Sequence, residues 1–307
     1  VASTTYDNDY RRYLAHIKED LGFYRLQDLQ PVHLEKYFYH KRLKGRKDGK
    51  GGLSENSLNK LYILMNKFLR KAVKYNLIHQ NPLEPIASPR PEPHKANVMS
   101  EEEFNLLLNV AREHDPFMFV FICTVLYTGL RISEALGLTW PEIDFQNKII
   151  NVVRKVVYKR GHGIIVEEKL KNKSSRRSIK ISDRLCELLK EHKKRQLEIR
   201  LFLGPDYKGD VYDFVFCKED GTIYYPTSIN KKMRILMNKA GLPYKSQIHI
   251  LRHTFATLNV NSGVGPEIVQ KILGHSTIKT TIDTYYHPDV EIQKKAVDVM
   301  DRAINIE

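Results

Sequence analysis

The sequence predicts a mainly α-helical protein of two domains, the second carrying a small antiparallel β-sheet. Three observations predict it: helical periodicity without a convincing strand over residues 6–84, a proline-rich stretch at 87–98, and period-two apolar alternation that starts only after Trp140. A length of 307 residues suits two domains. The 42% hydrophobic content is enough to build cores, so a disordered chain is excluded.

In the first domain, the segment from Ser57 to Ile78 sets Leu61, Leu64, Phe68 and Ala72 on one helical face. Lys60, Lys67, Lys71 and Lys74 fall in a narrow sector of the same helix, roughly 100° away. That lysine row is either a solvated face or a track along a phosphate backbone. Ahead of it, Lys41 to Gly52 (KRLKGRKDGKGG) reads as a flexible basic loop. Pro89, Pro91 and Pro93 stand at alternate positions, and each disfavours helix in the residue before it, so residues 88–98 form an extended linker. The domains are therefore 1–87 and 99–288, with a tail at 289–307.

Ser100 and Glu103 have capping-box spacing ahead of a helix from Glu101. Pro116 to Tyr127 is apolar nearly all round and predicts the core helix of the second domain. Ile149, Ile150, Val152, Val153, Val156 and Val157 predict strands, followed by a turn at 161–163 and strands at 164–170 and 177–181. Ser182 caps a helix running to about Leu201. Asp213 to Cys217 predicts one more short strand, and the pattern is helical from Tyr225 onward. In the tail, Val290, Val297, Met300 and Ile304 share an apolar sector.

Fifty Lys and Arg against 36 Asp and Glu give a formal charge of +14. Residues 1–97 hold 18 basic and 10 acidic side chains, and the remainder is basic too. A polyanion is the default partner of such a chain. The longest apolar run, Phe117 to Tyr127, is about half of the ~20 residues that span a bilayer, which excludes a transmembrane protein. No charged-then-apolar leader opens the sequence, which argues against a secretory signal. Three cysteines, Cys123, Cys186 and Cys217, are an odd number inside regular patterns and fit a reducing cytosol better than a disulfide scaffold.

Four clusters carry chemistry. In Tyr127-Thr-Gly-Leu-Arg131-Ile-Ser-Glu134, Gly129 ends the core helix and Arg131 opens another, with Glu134 one turn along. An unpaired buried charge costs several kcal/mol. Arg131 and Glu134 are then either a structural ion pair or a pair whose free guanidinium edge grips an oxyanion. Lys169 to Arg177 (KLKNKSSRR) is a crowded basic strand-turn-strand segment. It is either an exposed hairpin on a DNA backbone, with Lys173 and Arg176 as contacts beside the lysine row, or the source of a lysine that protonates a leaving oxygen.

The third cluster is His249-Ile-Leu-Arg252-His253. The two histidines have zinc-protease spacing, but Ile250 occupies the place of the required glutamate and no further ligand cluster follows. His249 and Arg252 remain on one face, suited to acid/base work and a phosphate clamp. The fourth cluster, Leu273-Gly-His275 through Tyr285-Tyr-His287, adds an imidazole and tyrosines. A phenol with a pKa near 10 needs cations or a proton acceptor to become reactive. No carboxylate pair for magnesium and no phosphate-binding glycine loop is present. The inventory suits phosphoryl transfer with no cofactor, neither metal nor nucleotide.

In chain order these four blocks resemble the signature blocks of the tyrosine recombinases, or phage-type integrases. Residues 57–84, ending Leu77-Ile-His-Gln-Asn81-Pro82, resemble their helical core-binding domain. The resemblance spans nearly the whole chain and leans towards integrases of conjugative transposons and phages of Gram-positive bacteria. It implies a core-binding domain and a mixed α/β catalytic domain closing around duplex DNA. Arg131 and Arg252 would clamp the scissile phosphate, with Glu134 orienting Arg131. His249 would exchange protons with the tyrosine and bond the phosphate, and His275 would be the second imidazole on it. Lys171 would be the general acid, with Lys173 the alternative. Tyr285 would be the nucleophile, because His287 follows it by two in the family's Tyr-x-His pattern, whereas Tyr286 points away and packs. Lys180 stands where proline is common after the hairpin.

The implied activity is site-specific recombination that integrates or excises a mobile element through a 3′-phosphotyrosine, without metal or ATP. Implied partners are double-stranded DNA at element ends and target, three further copies in a tetramer, and DNA-bending accessory proteins, with no membrane. The tail would dock on a neighbouring copy, packing in cis being the alternative. The implied location is the bacterial cytoplasm, at the nucleoid. Such integrases often carry a small arm-binding domain first; its absence, with Val1 opening the chain, implies truncation. Two other readings stay open: a non-catalytic DNA-binding regulator on the same fold, and a type IB topoisomerase-like nicking-closing enzyme.

Overall fold

Every regular element described between residues 3 and 92 is helical, in keeping with the periodicity. The computed structural model describes residues 3–92, 97–159, 161–168, 175–209, 211–243 and 248–285. It divides the chain into two compact units, Val1–His94 and Lys95–Glu307.

In the first unit, α1 (Ser3–Arg12) continues through a π-helical turn, Tyr13–Ile17, into α2 (Lys18–Leu21). α3 (Pro31–Lys44) starts on a proline, whose missing N–H would have no intrahelical partner there. α4 (Glu55–Lys74) is capped by Ser54, which accepts a hydrogen bond from the Ser57 N–H at 3.4 Å. It stops four residues short of the predicted end, with Asn76 in the left-handed region at φ 56°.

Leu58, Leu61, Leu64, Met65, Leu69 and Ala72 form the buried face of α4, in one cluster with Leu34, Tyr37 and Phe38 of α3. Phe68 departs from the expectation and is 46% exposed. The 3.6-residue repeat running through Leu58, Leu61, Met65, Leu69 and Ala72 carries Phe68 past the edge of the buried stripe. Lys60, Lys67, Lys71 and Lys74 are all exposed, and Lys67 pairs with Asp9 at 2.9 Å. After α4, residues 87–92 have no regular structure, and the Asn59 amide donates to the Pro89 carbonyl at 2.7 Å.

The second unit opens with α5 (Glu101–His114), whose reciprocal capping box is present: Ser100 accepts from the Glu103 N–H at 3.3 Å and donates its own N–H to the Glu103 carboxylate at 2.8 Å. α6 (Pro116–Thr128) buries Met118, Phe121, Ile122 and Val125 completely and forms the centre of the core. After Gly129 comes α7 (Ile132–Leu136).

The strands are β1 (Ile143–Asp144), β2 (Ile149–Val152), β3 (Lys155–Lys159), β4 (Gly163–Glu167) and β5 (Arg177–Lys180). All described pairings are antiparallel. They make two sheets, β1-β2-β5 and the β3-β4 hairpin, in which Val156 faces Val166. β1 has only two residues, too few for an alternating pattern to announce it.

The strand expected at Asp213–Cys217 forms only isolated bridges, Thr139 to Phe214 and Cys217 to Ile223. Phe214, Val215 and Phe216 are buried in succession, so this segment runs through the core instead of lining a sheet with one wet face. Phe216 meets Phe121 edge-on at 4.9 Å.

α8 (Asp183–Leu203), capped by Ser182, and α9 (Pro226–Lys239) flank this core. α10 (His249–Asn261), α11 (Pro266–Leu273) and α12 (Ile278–Tyr285) follow. All three cysteines are free and buried. No described helix is long and apolar enough to cross a membrane. The tail at 289–307, with Val290, Val297, Met300 and Ile304, lies outside the described residues.

Candidate active site

Two helix ends make the floor of the site. α6 ends on Gly129 at φ 63° and α11 on Gly274 at φ 65°, the left-handed geometry that glycine adopts without strain. A Cβ at position 129 would lie 2.7 Å from the side chains of Leu273 and Phe255, so glycine also lets the two helix ends pack closely. The last carbonyls of a helix lack intrahelical donors and carry the negative end of its dipole. Here they face arginines.

Arg252, on α10 and 2% exposed, donates Nη1 to the Gly129 carbonyl at 2.6 Å and Nη2 to the Leu273 carbonyl at 2.7 Å. Arg131, at the start of α7, donates Nη1 to the Leu273 carbonyl at 3.3 Å and Nη2 to the Gly274 carbonyl at 3.4 Å. Its Nη1 also meets Glu134 Oε1 at 2.8 Å, the ion pair expected from the sequence.

Glu134 is 4% exposed and holds more than one cation. Its Oε2 accepts the Arg131 backbone N–H at 3.0 Å and Arg177 Nη2 at 2.9 Å. Arg177, the first residue of β5, also donates Nε to the Ile272 carbonyl and Nη1 to the Ser175 carbonyl at 3.1 Å. Two guanidinium groups therefore pair with one buried carboxylate and Arg252 lies close enough to feel its charge, leaving a surplus of two positive charges in this cluster.

Burial disfavours the ionised Glu134, but the Arg177 and Arg131 charges and hydrogen bonds prevail and hold its carboxyl at about 2. Burial, and then the Arg131 charge, push Arg252 down to about 9, still protonated at neutral pH.

The histidines sit around these cations. Burial, then the Arg252 and Arg131 charges, lower the pKa of His249; its ring keeps an exposed face at the start of α10. His275 follows Gly274 and shares a 2.9 Å hydrogen bond between Nδ1 and the Thr281 hydroxyl. Burial, then Arg252 and Arg131, push it down to about 4, so the imidazole is neutral at neutral pH.

Tyr285, the last described residue of α12, is 4% exposed. Its ring lies nearly parallel to that of His275, 6.3 Å away. Its hydroxyl is 2.7 Å from Nδ1 of His253. Burial raises the phenol pKa, and the Arg252 and Arg131 charges pull the other way.

Arg131, Glu134, His249, Arg252, His275 and Tyr285 thus come together in one unit from segments far apart in the chain. Lys171 and Lys173 lie outside the described residues. Arg176 is exposed just before β5, and Lys60, Lys67, Lys71 and Lys74 belong to the first unit. Sequence reasoning missed Arg177 as the second partner of Glu134. It also passed over His253, which bonds the Tyr285 hydroxyl where His249 was expected to exchange protons with it. Arg177 left one signal: it enters a strand while its neighbour Arg176 stays outside. Among the described residues, no group of three or more His, Cys, Asp or Glu is placed to hold a metal ion.

A family profile described as the phage integrase family matches residues 97–291, well over half of the chain and the whole of this site. The chain belongs to the phage integrase family. Among relatives of this integrase-family chain, a tyrosine recombinase XerC-like protein of Caldanaerobacter subterraneus subsp. tengcongensis is 28% identical, covering 96% of this chain and 76% of its own length. The ICEBs1 integrase of Bacillus subtilis is 27% identical over 81% of this chain and 66% of its own. Among solved structures, a Tn1549 transposon integrase in complex with transposon right end DNA superposes with a TM-score of 0.80 at 22% identity. That alignment covers 97% of this chain and 94% of the other, and the likeness is one of fold.

Proposed function

We infer that this integrase-family chain is a site-specific DNA recombinase, which cuts and rejoins strands of a mobile element through a 3′-phosphotyrosine. The observation that carries the reading is the meeting of half-buried Arg131 and buried Arg252 on the Leu273 carbonyl, with Tyr285 packed in the same small cluster as Leu273. A phosphodiester carries one negative charge, and its pentacoordinate transition state carries a second. The surplus of two positive charges around Glu134 matches that state better than the ground state, which is what a catalyst requires.

In the first step the Tyr285 oxygen bonds to phosphorus, the bond from phosphorus to the 5′ oxygen breaks, and the phenolic proton passes to a neighbouring imidazole. Arg131 and Arg252 hold the non-bridging oxygens, with Glu134 fixing Arg131. His249 and His275, both with lowered pKa, offer neutral imidazoles to the phosphate oxygens. The leaving 5′ oxygen takes a proton from a general acid, for which Lys171 is proposed, with Lys173 the alternative. In the second step a 5′-hydroxyl from a partner strand attacks the phosphotyrosine and frees the tyrosine. One ester replaces another, so bond energy is conserved and the chemistry needs neither ATP nor metal.

The exposed lysines of α4 would track DNA phosphates. The working form proposed is a tetramer on two DNA segments, assisted by DNA-bending proteins, at the bacterial nucleoid. The tail, 289–307, would dock on a neighbouring copy.

The test is a pool of duplexes with a randomised core and a nick placed so that the cleaved end diffuses away. Covalent protein–DNA adducts should accumulate, and sequencing the held ends should return one site with the protein on a 3′ phosphate. Tyr285→Phe should bind the same DNA and form no adduct. Salt-sensitive binding with no adduct from any sequence would favour a non-catalytic regulator. Adducts on all sequences with no preference would favour a topoisomerase-like activity.

A further inference from the structure

We propose that His253 both aims the nucleophile and receives its proton: Tyr285 Oη donates to Nδ1 across 2.7 Å, and that proton passes to His253 as the bond to phosphorus forms. The proposal rests on the reading of Tyr285 as nucleophile. Two imidazoles contact the phenol ring and a third contacts one of them, and their geometry separates their tasks. The His275 ring lies parallel to the tyrosine ring at 6.3 Å, and its Nδ1 is engaged with the Thr281 hydroxyl. His249 sets its ring edge-on to that of His253 at 5.8 Å and is coupled to Arg252 and Arg131. His253 alone of the three has its hydrogen bond on the attacking oxygen among the interactions described.

Position on the helix strengthens the assignment. His253 follows Arg252 directly on α10, so one rigid element carries both the phosphate clamp and the acceptor for the nucleophile. Tyr285 arrives from α12, which packs against α10 and α11 through a small apolar cluster of Ala256, Val260, Val269, Leu273 and the tyrosine itself. That cluster holds the ring, and the hydrogen bond fixes the direction of its oxygen. The balance is simple. The Oη–H bond breaks and an Nδ1–H bond forms, while Oη–P forms and the bond from P to the 5′ oxygen breaks. In rejoining, the same proton returns to Oη as the tyrosine leaves.

Two variants separate aim from proton transfer. Asparagine presents its side-chain oxygen about where Nδ1 sits and keeps a hydrogen-bond acceptor without a strong base; phenylalanine keeps the ring volume and has no acceptor. Single-turnover adduct formation on the nicked substrate should fall by about a hundredfold or more in His253→Phe and by less in His253→Asn. Affinity for the DNA should stay within about threefold, because neither change touches a charge on the clamp.

The decisive readout replaces Tyr285 by 3,5-difluorotyrosine, whose phenol loses its proton more readily. If His253 takes that proton, the fluorinated nucleophile should close the gap between His253→Asn and the parent by about tenfold. A substrate with sulfur in place of the 5′ bridging oxygen should leave the gap unchanged, because it relieves only the leaving group. Adduct formation within about threefold of the parent in both variants, or a gap that fluorination does not narrow, would overturn the proposal. An adduct that persists in Tyr285→Phe would instead overturn the nucleophile assignment beneath it.

Discussion

Replacing Glu134 by glutamine tests the charge arithmetic of the site. The side chain keeps its size, but Arg131 and Arg177 lose their shared counterion. The carboxyl is held at about 2 against an ordinary value of 4.5. At 1.36 kcal/mol per pH unit this corresponds to roughly 3 kcal/mol of stabilisation at neutral pH. Removing one partner of a buried ion pair costs about 3–5 kcal/mol in general, so two routes agree. The folded-state pKa lies below the unfolded one, so the stabilisation is fully present above the unfolded value of 4.5 and fades as the pH falls towards 2. Urea denaturation of parent and Glu134→Gln, followed at several pH values through the catalytic-unit transition, reads this directly. The variant should be roughly 3 kcal/mol less stable at pH 7, and the difference should shrink steadily between pH 4.5 and 2. A difference below about 1 kcal/mol at pH 7, or one that does not change with pH, would refute the reasoning.

Three other outcomes follow from the same geometry. Gly129→Ala places a methyl group 2.7 Å from Leu273 and Phe255 in left-handed backbone, and should destabilise the second unit by about 1–3 kcal/mol; an unchanged urea midpoint would contradict the close packing of the two helix ends. The His275 ring, followed by NMR, should titrate near 4, and a midpoint at the ordinary 6.5 would mean that burial and the arginine charges do not act on it as described. Alanine at Lys60, Lys71 or Lys74 should each lower the salt dependence of DNA binding by about one counterion, whereas Lys67→Ala should lower it less, because Asp9 already neutralises Lys67 at 2.9 Å; equal slopes for all four would remove the lysine row from the interface.

Much of this site was legible because its residues break local rules. An arginine just after a helix apolar nearly all round, or a histidine and an arginine three apart on one helical face, demands an explanation from the sequence alone. Arg177 and His253 were not legible as partners because the groups that give them meaning lie 43 and 32 residues away, and only folding brings them together. The fold shows the same division. Ser100 with Glu103 and Ser182 are local signals that depend on a few neighbouring N–H groups, and both were readable. Phe68 was misplaced because helical periodicity finds the buried stripe but not its edge, which the packing of neighbouring helices decides. The Phe214–Phe216 segment is a short apolar run that reads as a strand, yet its side chains are buried in succession, and among the described residues it forms only single bridges.

The central claim is that the Tyr285 oxygen attacks a DNA phosphorus held by Arg131 and Arg252. Mass spectrometry of the peptide from a trapped adduct addresses it most directly. The expected result is a nucleotide joined through its 3′ phosphate to Tyr285, with a free 5′-hydroxyl on the released strand. A nucleotide on Tyr286 or on any other side chain, or a 5′-linked phosphate, would contradict it.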